Sequence, residues 1–442
     1  MNDSTPKTFP PHFTWGTATA AHQIEGGNKN NDWWLFEKQP GRIKTGDSSE
    51  IACDHWNRYK EDFALITRLK NNAYRMSIEW SRVFPEPGRV DRAALDHYHR
   101  MIDELLRRKI TPFVTLLHFT IPIWWMRRGG LLNQSPEHLD HFRQFCELIG
   151  TEFRKNIKYW NTINEIDILI TGYLSDEMPP TGNSFFKAIR AENTLFKMHA
   201  IAYHTVKKTN PSARVGVVHN MLMVRPYRPR SAADRLLASF ADYLFNGSLF
   251  RALKTGRLFA GLRAHTGLKN SSDFIGLNYY NFLLVSHRLP GLVASANENP
   301  LCGKERLCAG IGWEPYPEGF LESMRRIKRE LPGTPIYITE NGIGTDDDAW
   351  RSKCLIDHLK MAHQAIGEGI DVRGYFHWSL IDNFEWAQGY SSRFGLVHVD
   401  FKTQRRSIKG SGRLYAGIAA ANAIPAAVLK KFPGDIYRPA FK

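Results

Sequence analysis

Residues 335–342 read PIYITENG. Ile336, Tyr337, Ile338 and Thr339 favour extended backbone, and the run is short and bounded by Pro335 and Gly342, which predicts a buried strand. The run stops on a carboxylate and an amide, Glu340 and Asn341. A second stretch repeats the design: residues 157–165, IKYWNTINE, end in Asn164 and Glu165. Working outward, the same kind of run recurs at Phe13–Ala20, Ala73–Ile78, Thr111–His118, Arg214–His219, Asp273–Tyr279 and Val372–Trp378. With Ile157–Asn164 and Pro335–Glu340 these make eight predicted strands. Helical periodicity fills the gaps at Asp54–Lys70, Arg92–Arg108, Pro136–Arg154, Phe185–Lys208, Ala232–Leu253, Glu318–Leu331, Trp350–Gly369 and Gly412–Ala421. In Pro136–Arg154 the residues Phe142, Phe145, Ile149 and Phe153 share one face, as a helix covering a sheet requires.

Strict alternation of eight strands and eight helices, with no Ser/Gly/Pro linker between halves, points to one closed parallel (β/α)8 barrel of the α/β class. An open doubly wound sheet is the competing reading, but the Gly-rich phosphate turn that often accompanies it is missing after the first strand. The 442 residues then form a single domain, residues 1–442, with a short polar tail over residues 1–8. Barrels of this kind reach such a length without dividing.

The formal net charge of +15 admits an acidic partner, but the basic residues are scattered, with short clusters only at Arg225–Arg230 and Lys402–Arg406. No nucleic-acid-binding motif gives that charge a shape, so a solvated basic surface is expected, with no nucleic acid and no membrane as partners. The five cysteines, Cys53, Cys146, Cys302, Cys308 and Cys354, make no C-x-x-C or zinc pattern. Free thiols are favoured over a Cys302–Cys308 bridge. The N-terminus has no apolar signal core, and a cytoplasmic protein is the expectation. Monomer and homo-oligomer stay equally open.

In such a barrel the chemistry gathers at the C-terminal ends of the strands. Those positions hold Gln23 and Glu25, Glu79 and Trp80, His118, Asn164 and Glu165, Asn278 and Tyr280, Glu340 and Asn341, and Trp378. Amides and carboxylates bind hydroxyl groups, and indole faces stack on the C–H surface of a sugar, so the rim suits a polyhydroxylated substrate. Glu165 and Glu340 form the central pair: one carboxyl held protonated and one ionised is the requirement of glycoside cleavage. Either glutamate alone could equally cap a helix or pair with an arginine. His138 and His141, one turn apart, read as a solvated helix face rather than a metal site, and no H-E-x-x-H, G-x-S-x-G or P-loop motif occurs.

From Phe9 to Arg413 the chain resembles family 1 glycoside hydrolases of the β-glucosidase type. Seven segments carry the likeness in order: FTWGTATAAHQIEG, CDHWNRYKED, YRMSIEWSRVFP, YWNTINE, DFIGLNYYN, IYITENG and GYFHWSLIDNFEWAQGYSSRFGLVHVD. The resemblance implies a (β/α)8 fold, no cofactor, and double-displacement hydrolysis of terminal β-glucosyl, galactosyl or fucosyl residues. Glu340 would be the nucleophile and Glu165 the acid/base. Gln23, His118, Asn164, Glu385 and Trp386 would hold sugar hydroxyls, Trp378 would form the stacking floor and Phe394 the pocket wall. Arg75 and Tyr280 would hold the nucleophile, Asn278 would support them, and Trp313 would face the leaving group.

Two departures stand out. The family often reads H-W-[DE]-L-P after strand three, whereas here residues 118–122 are HFTIP, so Phe119 lacks an indole donor. A weaker or rearranged contact at the sugar O3 is expected. Around Asp167 and Ile168 many relatives carry a proline just after the acid/base. Of two alternatives, a 6-phospho-β-glycosidase is disfavoured because Glu385 would repel phosphate. An inactive sugar-binding relative is disfavoured because both glutamates are kept. The leaving group is expected to be read by the loop around Leu289–Gly312 and by Leu174–Asn183.

Overall fold

The structure, a computed structural model, describes residues 5–259, 264–288, 293–294 and 313–433. Eight parallel strands close into a barrel in sequence order: β1 (Thr14–Ala18), β2 (Ala73–Ser77), β3 (Thr111–Leu117), β4 (Tyr159–Asn164), β5 (Arg214–Asn220), β6 (Phe274–Tyr279), β7 (Ile336–Asn341) and β8 (Val372–Trp378). Closure is made by β8 on β1, from Gly374 opposite Thr14 to Trp378 opposite Ala18. Every predicted strand is present, with ends shifted by a residue or two.

The lower half of the barrel is filled by aromatic rings. Phe113 and Tyr159 stack at 4.2 Å, and Tyr337 and Phe376 meet Phe113 edge-on at 5.2 and 4.7 Å. Such rings leave no room for side chains behind them. A Cβ on Gly16 would stand 2.4 Å from the Phe376 ring, and one on Gly216 would stand 2.6 Å from the Phe274 ring. The plug makes the bottom of the barrel a packed core, so only its upper end can hold a polar site.

Outside lie α1 (His55–Arg68), α2 (Arg92–Arg107), α3 (Pro136–Glu152), α4 (Phe185–Thr209), α5 (Ala232–Asp242), α6 (Ser248–Thr255), α7 (Pro317–Glu330), α8 (Asp348–Gly367) and α9 (Gly410–Ala421). Their starts are chemically marked. Ser135, with Pro136 behind it, accepts from His138 N, and Asp91 accepts from Ala94 N. Phe142, Phe145, Ile149 and Phe153 of the α3 segment are fully buried, as their spacing predicted. The single helix expected over Ala232–Leu253 is instead split by a wider π turn, Tyr243–Gly247. That turn lets Asn246 reach inward, where its amide donates to Leu222 O at 2.8 Å and Asp242 Oδ1 at 3.0 Å.

Of the tail expected over residues 1–8, Lys7–Thr8 is a strand paired with Ala423–Ile424. Sequence periodicity also passed over two small sheets at the rim: Met223–Pro226 with Phe282–Val285 and Val293–Ala294, and the hairpin Val397–Asp400/Arg405–Ile408. The basic clusters are partly neutralised in place. Arg228 forks onto the buried Asp234, Arg225 pairs with Glu322, and the buried Arg406 bonds Asp62. Cys53, Cys146 and Cys354 are buried free thiols, while Cys302 and Cys308 lie outside the described residues. Among the described residues no helix is long and apolar enough to cross a membrane.

Candidate active site

The upper strand ends bring the two glutamates together through one hydrogen-bonded chain. Glu340, near the end of β7, is gripped by the Arg75 guanidinium from β2 and by the Tyr280 hydroxyl, which donates at 2.6 Å. The same Arg75 donates through its other terminal nitrogen to Asn164 Oδ1 at 2.5 Å. Asn278 Nδ2, at the end of β6, donates to Glu165 at 2.6 Å and reaches Asn164 Oδ1 at 3.3 Å. The Asn278 amide is oriented in turn by Thr339, whose hydroxyl donates to its carbonyl oxygen at 2.7 Å. Arg75, Asn164 and Asn278 thus stand between the two carboxyl groups, and all are buried. Register explains why: Glu340 lies opposite Asn278 in the β6–β7 ladder, so one layer of the barrel carries both.

The two carboxyls differ electrically. Burial, reinforced by the charges of Glu340 and Asp167, holds Glu165 well above the usual carboxylate range. Arg75 and the Asn278 amide only partly oppose this. Glu340 has a cation and a phenol donor on its two oxygens, the partners that stabilise an ionised form. Burial and the charge of Glu340 also push the Tyr280 phenol up, so it remains a proton donor.

The pocket wall is polar on one side and aromatic on the other. Gln23, from the first turn after β1, donates to Phe384 O at 2.9 Å, Asn383 Oδ1 at 3.1 Å and Glu385 at 3.3 Å. Burial, and next the Glu340 charge, push the Glu385 carboxyl up to about 8. Near neutrality it can therefore both accept from and donate to hydroxyl groups. Burial and the nearby Arg75 charge keep His118 well below its ordinary range, so it is neutral, with one donor and one acceptor. Gln23 Oε1, His118 Nδ1 and Asn164 Nδ2 are buried and have no hydrogen-bond partner among the described residues. Three such groups around one cleft are costly unless a ligand satisfies them.

On the aromatic side the Trp378 and His118 rings lie nearly parallel at 6.0 Å. Trp386 is flanked by Trp33 at 4.5 Å and Phe119 at 5.2 Å. Phe394 is buried and meets Tyr280 at 6.0 Å and the half-buried Trp313 at 6.2 Å. The residues that the family resemblance named therefore gather at the barrel's upper end, whereas Trp80 packs outside it against Trp125, Phe142 and Phe145.

Two rim carboxylates do not join them. Glu79 caps the short helix Trp80–Val83 and accepts from Ser81 and Thr120, while Glu25 accepts from Tyr98 and pairs with Arg82. Sequence reading passed over Thr339, Asn383 and Trp33. Thr339 and Asn383 lie inside the motif segments IYITENG and GYFHWSLIDNFEWAQGYSSRFGLVHVD. Trp33 had no local signal, because its place beside Trp386 is a long-range contact. His138 is buried on Gly130 O rather than solvated, and among the described residues no cluster could hold a metal ion. The leaving-group loop expected around Leu289–Gly312 lies almost wholly outside the described residues.

Known proteins resemble the chain along nearly its whole length. Residues 5–424 match the family model described as Glycosyl hydrolase family 1. "Beta-glucosidase A" of Thermotoga maritima is 36% identical, across 95% of this chain and 99% of its own. Among solved structures, the β-glycosidase from Pyrococcus horikoshii is 40% identical with a TM-score of 0.86, covering 97% of this chain and 98% of its own. The β-glucosidase from Thermotoga maritima in complex with glucoimidazole is 36% identical, also at 0.86, covering 94% and 99%.

Proposed function

The chain belongs to glycosyl hydrolase family 1, and from that premise we propose that Glu340 is the nucleophile and Glu165 the acid/base acting on neutral β-glucosides. The enzyme is a retaining β-glycosidase. Glu340 attacks the anomeric carbon while Glu165 gives its proton to the glycosidic oxygen, and the aglycone leaves as an alcohol. The product of this step is an ester between Glu340 and the sugar. Ester formation removes the Glu340 charge, one of the causes that hold the Glu165 proton in place. Glu165, now a carboxylate, takes a proton from water as the water attacks the same carbon, and the sugar leaves with its configuration retained.

The observation that carries this assignment is the asymmetry of partners: cation and phenol on Glu340, neutral amide and neighbouring negative charge on Glu165. The unpartnered polar atoms of Gln23, His118 and Asn164 support a sugar in the cleft, with Trp378 as its floor and Glu385 and Trp386 holding hydroxyls. Phosphorylated sugars and an inactive sugar-binding role are not favoured. The partner is then a small β-glycoside, and Trp313, beside Tyr280 at 5.3 Å, faces its leaving group. For location we propose the cytoplasm, where thiols such as Cys53, Cys146 and Cys354 stay reduced.

The test is to trap the ester. A 2-deoxy-2-fluoro-β-glucoside with a good leaving group is incubated with the enzyme, and the labelled peptide is sequenced by mass spectrometry. Label on Glu340 is expected. Label on any other residue, or release of an inverted sugar from an ordinary substrate by proton NMR, overturns the assignment.

A further inference from the structure

Glu165 follows β4 directly with a left-handed backbone, φ 51°, and the next residues form a one-turn helix, Ile166–Leu169. Asp167 lies in that turn and is buried, 3% exposed. A carboxylate this deep must be fixed by partners. At the end of β5 Asn220 Nδ2 donates to one of its oxygens at 3.4 Å, and His219 Nδ1 stands 3.3 Å from the other without forming a hydrogen bond. Asn220 lies opposite Asn278 in the β5–β6 ladder, and Asn278 is the amide that holds Glu165. Glu165 and Asp167 therefore hang from neighbouring amides of one barrel layer. Behind them the π turn aims Asn246 at His219 Nε2, 3.3 Å away, and Asp242 steadies Asn246 and is itself forked by Arg326. The irregular helix thus has a use: it holds the imidazole that stands beside Asp167.

We propose that Asp167 is a positioning residue for the acid/base step, its carboxyl held by Asn220 beside His219 so that Glu165 keeps its proton until the leaving oxygen takes it. This rests on Glu165 being the acid/base. Glu165 faces Glu340 from β7, Arg75 from β2, the Tyr280 phenol just beyond β6, and Asp167 from its own loop. Asp167 faces His219 from β5 and Glu192 from α4. Burial pushes Glu192 up to about 8, so near neutrality Glu192 is mostly uncharged. Once Glu340 is esterified, Asp167 still raises the proton affinity of Glu165, which strengthens Glu165 as a base toward water.

The experiment compares pH profiles of kcat/KM on an aryl β-glucoside with a poor leaving group for the wild type, Asp167→Asn, Asp167→Glu and Glu165→Gln. A negative neighbour raises the acid's pKa, so its removal lowers it. The basic limb of Asp167→Asn is expected at lower pH than wild type, and that of Asp167→Glu near the wild-type position. Asp167→Ser, neutral and at home in a helix's first turn, gives the same shift should the asparagine variant not fold. A limb that stays in place in the neutral variants, whether or not rates fall at every pH, reduces Asp167 to a structural role and overturns the proposal. If Glu165→Gln retains the wild-type basic limb, the limb does not belong to Glu165, and the acid/base assignment itself fails.

Discussion

The ends of β4 and β7 carry the same amino acid in nearly the same sequence setting, Asn164-Glu165 and Glu340-Asn341, yet the barrel treats the two glutamates oppositely. At β7 both carboxylate oxygens are occupied by donors, one of them the fully buried guanidinium of Arg75. At β4 the partner is a neutral amide, and the negative charges of Glu340 and Asp167 outweigh that of Arg75. Two identical side chains acquire complementary jobs from what faces them, and Arg75 sits on the divide, holding Glu340 with one nitrogen and Asn164 with the other. Polarity at this site is a property of the layer and not of either residue.

Four substitutions break or sharpen that contrast. Replacing Glu165 by Gln removes the proton source and is expected to lower kcat on poor leaving groups by about 10²–10⁴-fold. The loss in the first step should be far smaller for dinitrophenyl glycosides, whose oxygen needs no proton, and pre-steady-state bursts would measure this. Next comes Arg75→Lys, which keeps the charge but not the fork that spans Glu340 and Asn164. Loss of one charge-assisted bond costs about 1.5–3 kcal/mol, so a fall of roughly ten- to a hundred-fold in kcat/KM is expected, with a lowered Tm in calorimetry. Tyr280→Phe withdraws one neutral donor from Glu340, and kcat should drop by about tenfold with the fold intact by circular dichroism. The smallest change is Phe119→Trp. It restores an indole N–H beside His118 and Trp386, and a gain of a few-fold in kcat/KM on glucosides is expected, about the worth of one hydrogen bond. An unaltered kcat/KM would show that the missing indole donor at Phe119 costs no contact with the sugar.

Much of this was legible in the linear chain because barrel strands are buried on both faces and end on functional positions. Continuous apolar runs therefore marked all eight strands, and the first polar residues beyond them marked the site. Periodicity failed where long-range contacts decide local shape. The helix over Ala232–Leu253 is broken by a π turn because Asn246 has inward partners on Leu222 and Asp242. The rim strands Met223–Pro226 and Phe282–Val285 are too short to alternate visibly and exist by pairing with each other.

The sequence by itself determined the alternation of strand and helix, hence the barrel, and placed Glu165 and Glu340 at strand ends beside amides. Only the tertiary structure decided which rim carboxylates are free to act. Glu25 and Glu79 occupy equivalent places but are consumed by Tyr98, Arg82, Ser81 and Thr120. It also decided what each glutamate faces: Arg75 comes from β2, 265 positions from Glu340, and Asn278 from β6, 113 positions from Glu165. The reason is physical. Hydrophobic period is a local property that neighbouring residues share, whereas a carboxyl's proton affinity is set by burial and by charges a few ångströms away, which only the closed barrel brings together.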